Sequence, residues 1–178
     1  MTRSLSEAAN YVLDQFACFG LEVPEGSRIR RMYSAICNDD GSSRGLIAEN
    51  DPNFDIAREA LRDFSQLEFF FDQIRNDTRK PEHVSILKRI VSDSVLPQDD
   101  EQNSPGRDAQ AEAFVFSVCK NTDMAPILEE PDVTCQVKGK RFGVAVKRIK
   151  NLSRLTTRLS EGADQIHRTV GLGSLAWK

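Results

Sequence analysis

Two charged side chains in the last third of the sequence have types and spacing that suit phosphodiester chemistry. Asp132, preceded by Pro131, opens a short apolar run, and Lys147 closes the next apolar run fifteen residues later. A magnesium-dependent hydrolase needs hard oxygen ligands on one cation, which polarises the phosphate and lowers the pKa of a bound water. A nearby lysine can hold that water or stabilise the developing negative charge. The pair therefore indicates metal-assisted hydrolysis, although a Pro-Asp dipeptide alone is also common in turns.

A predicted hairpin would position these two side chains. Strands are predicted over Asp132–Val137 and Arg141–Lys147, with a tight turn at Gly139 between them. Because a short turn brings the outer ends of antiparallel strands together, the aspartate and the lysine should lie close to each other. Ala145, two residues before the lysine, should point to the same face of the sheet.

Helices are predicted on both sides of the hairpin, over Arg107–Lys120 and Leu152–Thr169. The segment Gly171–Trp177 is predicted to start a last strand, which gives the order helix, strand, strand, helix, strand. The helical positions expected to face inward are Ala111, Phe114, Val115 and Val118 in the first helix, and Leu155, Leu159, Ala163 and Ile166 in the second.

The first half of the chain is predicted to be helical throughout. Apolar residues recur at three- and four-residue spacing in four segments, which are Ser4–Phe19, Ser27–Cys37, Asn53–Asn76 and Glu82–Val95. The polar stretch that follows, rich in acidic residues, is typical of a linker. We therefore expect a helical region over residues 1–95, a linker over residues 96–106 and a core with both helices and strands over residues 107–178.

The motif and the order of elements after the linker resemble the PD-(D/E)XK nucleases. Pro131 and Asp132 match the first part of the motif, Lys147 matches its lysine, and Val146 is the variable residue between. The resemblance implies an α/β (α+β) fold, in which a helical N-terminal region precedes a restriction-endonuclease-like α-β-β-α-β core with a small mixed sheet. It also implies a DNA nuclease that uses Mg²⁺ or Mn²⁺ to hydrolyse phosphodiester bonds.

Other site residues follow from the same resemblance. Glu112 corresponds to a glutamate that related sequences carry on the helix before the sheet, and Arg107 corresponds to an arginine close to it. Gln165 resembles a glutamine that some branches place near the site. The expected catalytic residues are Asp132, Lys147, Glu112 and Gln165, and the expected metal ligands are Asp132, Glu112 and Glu130.

The sequence departs from the motif at one position. Where the family has Asp or Glu this chain has Ala145, whose methyl group cannot bind a metal. Glu112, Glu129 or Glu130 could supply the missing oxygen, the site could be degenerate, or the alanine could have been introduced to inactivate the protein. The alternative to a nuclease is therefore a catalytically inactive nuclease-fold protein that binds nucleic acid or a protein partner.

Positive charge is concentrated after the predicted turn. Between Lys138 and Arg168 the chain has nine Lys and Arg residues against two Asp and Glu, although the whole chain has a net charge of −3. Such a concentration suits the phosphates of DNA, and a solvated basic face is the alternative. The expected nucleic-acid contacts are Arg107, Lys140, Arg148, Lys150, Arg154 and Arg158.

The composition is that of a globular protein, with 39% hydrophobic and 29% charged residues among 178, and no apolar run is long enough to cross a membrane. The four cysteines are scattered without zinc-ligand spacing, which favours reduced thiols, several of them buried. We expect a cytoplasmic protein with no membrane partner, and a homodimer is one arrangement that the N-terminal helices allow.

Two further expectations concern particular segments. The nuclease-like core is expected to be truncated, because the chain ends where a core strand would begin. The aromatic cluster Phe69–Phe71 is predicted to belong to the core, whereas a protein-interaction module would leave it partly exposed.

Overall fold

The computed structural model describes residues 3–45, 47–77, 80–91, 105–149 and 152–170. Helices and one small antiparallel sheet make up this part of the chain, so the fold is α+β. No helix in these ranges is both long and apolar enough to cross a membrane.

The chain divides into two compact units, Met1–Gln110 and Ala111–Lys178. The boundary lies inside a helix and not in the predicted linker, of which residues 96–104 fall outside the described residues. The last two residues of that linker, Pro105 and Gly106, form the start of the helix.

The first unit consists of helices, and the bounds of the first three lie within two residues of those predicted. They are α1 (Leu5–Cys18), α2 (Arg28–Ile36), α3 (Phe54–Ile74) and α4 (Pro81–Ile90), followed by the first residues of α5 (Pro105–Asn121). α4 ends at Ile90, five residues before its predicted end at Val95, and residues 92–95 lie outside the described residues.

Local side-chain chemistry explains where α1 begins. The Ser4 side chain accepts from the Glu7 backbone N–H, and the Glu7 side chain accepts from the Ser4 backbone N–H, which is a capping box. These bonds satisfy N–H groups that have no partner inside the helix.

The core of the first unit forms where α3 packs against α1 and α2. Phe70 and Phe71 are fully buried and Phe69 is half-buried, which weighs against a partner surface built on this cluster. The rings of Phe16 and Phe71 meet edge to face with centroids 5.4 Å apart. Leu61 is 55% exposed, because the buried face of α3 is rotated toward Phe70.

A buried ion pair connects the helices of this unit. The Arg28 guanidinium on α2 pairs with the Asp63 carboxylate on α3, and both side chains are fully buried. Arg28 also donates to the Ile90 carbonyl at the end of α4 (3.2 Å) and to Gln110 Oε1 on α5 (2.7 Å). Arginine side chains are normally exposed, and Arg28 can be buried here because the carboxylate gives it a charged partner.

The sheet of the second unit is a hairpin formed by β1 (Val133–Val137) and β2 (Lys140–Val144). The turn residues Lys138 and Gly139 have φ values of 49° and 77°, and two successive positive φ angles are typical of the type I′ turn that joins tightly paired strands. The predicted turn is confirmed, but β2 ends three residues before its predicted end at Lys147.

The other edge of β1 is also covered. Ile127 and Thr134 exchange backbone hydrogen bonds of 2.8 and 2.9 Å, and the Gln136 N–H donates to the Met124 carbonyl at 2.8 Å. Since β1 has neighbours on both edges, Val133 is fully buried, whereas most of β2 is exposed or half-exposed.

A short 3₁₀ turn over Leu152–Arg154 leads into α6 (Leu155–Val170). The predicted strand Gly171–Trp177 lies outside the described residues. The order helix, strand, strand, helix is therefore observed from α5 to α6.

The inward faces predicted for α5 and α6 are wrong. On α5 Ala113 and Phe116 are buried, while Phe114 and Val118 are 37% and 43% exposed. On α6 Leu159 is 64% exposed. Apolar spacing identifies an amphipathic helix, but which stripe becomes covered depends on the neighbouring elements.

We predict that Asp63→Asn lowers the free energy of unfolding by about 3–5 kcal/mol, because it leaves the buried Arg28 cation without its counter-charge. Asp55→Asn is the matched control. Asp55, like Asp63, lies on α3 and pairs with an arginine, but Asp55 and its partner Arg58 are both more than half exposed. That change should cost less than about 1 kcal/mol. Urea unfolding followed by circular dichroism measures both, and equal effects would contradict the prediction.

Candidate functional site

The Asp132 carboxylate, immediately before β1, is hydrogen-bonded through both oxygens. Its Oδ2 accepts from the Val146 backbone N–H at 2.7 Å and lies 3.4 Å from Lys147 Nζ. Its Oδ1 accepts from Gln165 Nε2 on α6 at 2.9 Å. One carboxylate thus joins the start of β1, the segment that follows β2, and α6.

The register of the hairpin explains this arrangement. The last ladder pair is Val133 with Val144, so the next step places Asp132 opposite Ala145. There the ladder stops, and the aspartate side chain takes the N–H of Val146 instead. Lys147 lies beyond the strand and not at its end, yet the turn still brings it to Asp132.

Gln165 links a second carboxylate to this cluster. Its Nε2 also donates to Glu130 Oε2, at 3.1 Å. Because both carboxylates accept from the same nitrogen, these oxygens of Asp132 and Glu130 lie no more than about 6 Å apart. Four residues named by the sequence analysis, including Lys147, are therefore brought together.

Glu129, another glutamate considered for the missing ligand, is held in a different place. Its Oε1 accepts from the Thr134 hydroxyl at 2.5 Å and from the Arg141 guanidinium at 2.6 Å. Glu130, and not Glu129, shares a hydrogen-bond donor with Asp132.

Glu112 lies half-buried on α5. Across the described ranges no three His, Cys, Asp or Glu side chains are close enough together to hold a metal ion. The predicted set of Asp132, Glu112 and Glu130 is therefore not assembled as a three-carboxylate group. Asp132 and Glu130 are the two members of that set with a common partner.

α6 approaches this region at Gly162, a position that the sequence did not single out. A Cβ atom at Gly162 would lie 3.6 Å from the Ala145 Cβ and 3.7 Å from the Lys147 Cγ, which is ordinary van der Waals contact. The helix backbone therefore lies beside the segment that follows β2, and Gln165 reaches Asp132 from about one turn further along. A glycine inside a predicted amphipathic helix was the available signal.

Burial determines the direction of the Asp132 pKa. It disfavours the charged carboxylate and raises the pKa of Asp132 above its usual value, while the Val146 N–H and the Lys147 ammonium act in the lowering direction. The net direction is upward, so the site holds its proton more tightly than an exposed aspartate does.

The predicted nucleic-acid contacts are distributed unevenly. Lys140 and Arg154 are exposed, and Arg148 and Arg158 are partly exposed. Arg158 pairs with Glu161 on the same helix at 2.8 Å. Lys150 lies outside the described residues.

Arg107 requires a correction. Its side chain is 3% exposed, and NH1 lies 3.6 Å from Asp63 and 3.7 Å from Glu59, both of which belong to the first unit. A guanidinium enclosed with two carboxylates cannot reach a DNA phosphate without leaving them, so Arg107 is assigned to the ion-pair network of the helical core.

The buried thiols do not provide a nucleophile. Cys119 and Cys135 are both buried and reduced. Burial, followed by the adjacent Cys119 thiol, raises the pKa of Cys135 to about 12, which keeps it protonated at neutral pH.

No family model matches the chain, and comparisons with curated proteins and with solved structures found no match.

We predict that the pKa of the Asp132 carboxyl lies above the usual aspartate value, and that Lys147→Met raises this pKa further by removing a nearby cation. Carbon NMR of the carboxyl resonance measures both midpoints. Because the folded state binds this proton more tightly than the unfolded state, the free energy of unfolding should fall as pH rises between the two pKa values.

Lys140→Met, which removes a lysine at the turn end of the same hairpin, is the control for this titration and should leave the midpoint unchanged. A midpoint at or below the usual value in the parent protein would contradict the assignment.

Proposed function

We propose that the protein is a metal-dependent DNA nuclease of the PD-(D/E)XK type, in which Glu130 replaces the acid that is absent at Ala145. The observation that carries this proposal is the convergence of Asp132, Lys147, Gln165 and Glu130 at the open end of the hairpin. The residues come from three separate parts of the second unit and meet around one carboxylate.

The donor set suits Mg²⁺ or Mn²⁺. Magnesium in proteins commonly takes one or two carboxylates and completes its octahedron with water and substrate phosphate. Asp132 and Glu130 offer two such groups, within about 6 Å of each other at the oxygens that Gln165 bridges. A bound cation would polarise the phosphate and lower the pKa of a water.

The other residues act on charge and position. Lys147 Nζ lies 3.4 Å from the Asp132 carboxylate, and 26% of its side chain is exposed. Its ammonium group would stabilise the negative charge that develops on a phosphate bound beside Asp132. Gln165 orients the two carboxylates through its single amide nitrogen. The Val146 N–H fixes Asp132 from the opposite side.

We predict that Asp132→Asn and Lys147→Met each reduce Mn²⁺-dependent cleavage of plasmid DNA by about 100-fold or more. Asp164→Asn and Lys138→Met remove the same charges at exposed positions of the same unit and should retain activity within a few-fold. Gel electrophoresis of time courses measures the rates. Thermal unfolding identifies any variant whose loss of activity reflects loss of fold.

The source of the second ligand is tested in the same assay. Glu130→Gln should reduce cleavage strongly and Glu129→Gln only slightly, because Glu129 is engaged with Thr134 and Arg141. Ala145→Asp, which places a carboxylate opposite Asp132, should increase the rate. Equal cleavage by the parent and by Asp132→Asn would identify a contaminating nuclease and contradict the proposal.

Ala145 also favours a second candidate function, a nuclease fold that binds DNA without cleaving it. The position across the hairpin from Asp132 carries a methyl group, and Asp132 is engaged with Lys147 and Gln165. Binding would then depend on the basic side chains, such as Lys140 and Arg154.

For either function we predict DNA affinity in EDTA that falls steeply with salt. Arg154→Gln should reduce the slope of log K against log salt by about 0.9, the value expected for one lost phosphate contact. Arg31→Gln, at an exposed position of α2, should leave the slope unchanged. Fluorescence anisotropy with labelled duplex DNA measures both. No binding even at about 50 mM salt would exclude the binding function.

A further inference from the structure

A cavity of about 350 Å³ lies between α6 and the segment that follows β2, within the second unit. Most of its wall is aliphatic and includes Ile149, Leu159 and Ile166. Among the described residues that line it, the two charged ones are both cations, Lys147 and Arg158. The cavity therefore combines an apolar wall with positive charge.

We propose that this cavity binds a small anion with an aliphatic body, such as a medium-chain carboxylate or an alkyl phosphate. The acidic head would meet Lys147 and Arg158, and the tail would lie along the aliphatic face of α6. The proposal does not require that the protein cleaves DNA, because it rests on the cavity alone.

The residues that line the cavity favour a ligand with an alkyl chain over one with a nucleobase. Bases are usually held by aromatic stacking or by hydrogen bonds to their edges. The lining residues within the described ranges include no aromatic ring and no amide side chain. The volume lies at the lower end of the range of about 300–1,000 Å³ found for small-molecule sites, which suits a single short chain.

Exposed apolar surface supports the same class of ligand. Leu159 is 64% exposed and Ile149 is 44% exposed, although both line the cavity. An aliphatic tail would remove part of this surface from water, which is favourable in proportion to the apolar area covered. The head group would meet two cations that each already have a carboxylate partner, because Lys147 contacts Asp132 and Arg158 pairs with Glu161 at 2.8 Å.

Occupation of the cavity would therefore affect the candidate site. A second anion at Lys147 competes with the Asp132 carboxylate for the same ammonium group. The ligand would act as a regulator of whatever chemistry Asp132 and Lys147 perform.

Isothermal titration calorimetry of the full chain with decanoate, decyl phosphate and decanol, all below their micelle concentrations, tests the proposal. Decanoate or decyl phosphate should bind at least about tenfold more tightly than decanol, which corresponds to the loss of one favourable charge contact. Whichever of the two anions binds more tightly identifies the preferred head group. No binding of either anion, or equal binding of decanol, would overturn the proposal.

Matched variants locate the binding. Ala163→Leu fills the cavity from α6 and should weaken anion binding about tenfold or more. Arg158→Gln should reduce the preference for the anion over decanol, whereas Arg154→Gln, which does not line the cavity, should not. Equal effects of the two arginine variants would indicate non-specific charge attraction and contradict the assignment.

A second, smaller substitution keeps the test informative if Ala163→Leu disturbs the fold. Gly162→Ala adds one methyl group to the cavity wall at ordinary van der Waals distance from Ala145, so the fold should tolerate it. It should weaken binding in the same direction as Ala163→Leu. Unchanged affinity in both variants would show that the ligand binds elsewhere.

Discussion

The second unit depends on a carboxylate that is largely withdrawn from water. A hairpin of two five-residue strands is marginally stable by itself, and a charged group loses solvation when it is buried. The contacts of Asp132 meet both constraints. Its two oxygens accept hydrogen bonds from the segment after β2 and from α6, which holds the hairpin to the helix, and Lys147 supplies the counter-charge. The interaction that holds the hairpin to the helix is thus the same one that forms the candidate site. A metal ion bound by Asp132 would have to compete with groups that stabilise the fold.

The fold could be predicted where local signals determine it. The helix bounds follow from capping residues and apolar spacing, and the hairpin follows from the glycine-containing turn. The buried faces could not be predicted as well. α5 has apolar residues on several faces, and the single apolar stripe of α6 stays partly exposed, because burial depends on which elements lie beside a helix. Arg28 was missed for a related reason. An arginine is normally exposed, and only a distant carboxylate, Asp63, makes its burial favourable.

The candidate site was predictable in part. The proximity of Asp132 and Lys147 follows from the length of the hairpin, and the contribution of Gln165 was expected only from the family resemblance. The choice among the glutamates was not accessible, because Glu129 and Glu130 are adjacent in sequence and point to different partners. The apparent fit of Arg107 to a family position was misleading, since its neighbours in space are carboxylates of the helical core.

The two-residue turn at Lys138 and Gly139 has a consequence for how this protein can vary. In a β-ladder, a shift of one residue turns every following side chain to the opposite face. If an insertion or deletion in the turn shifted the register of the ladder by one residue, the Asp132 side chain would lose its place beside Val146 and Lys147, even if both strands survived. A longer turn that leaves the register unchanged would preserve that place. Variation in this hairpin is thus constrained by register, independently of the residue types that occupy it.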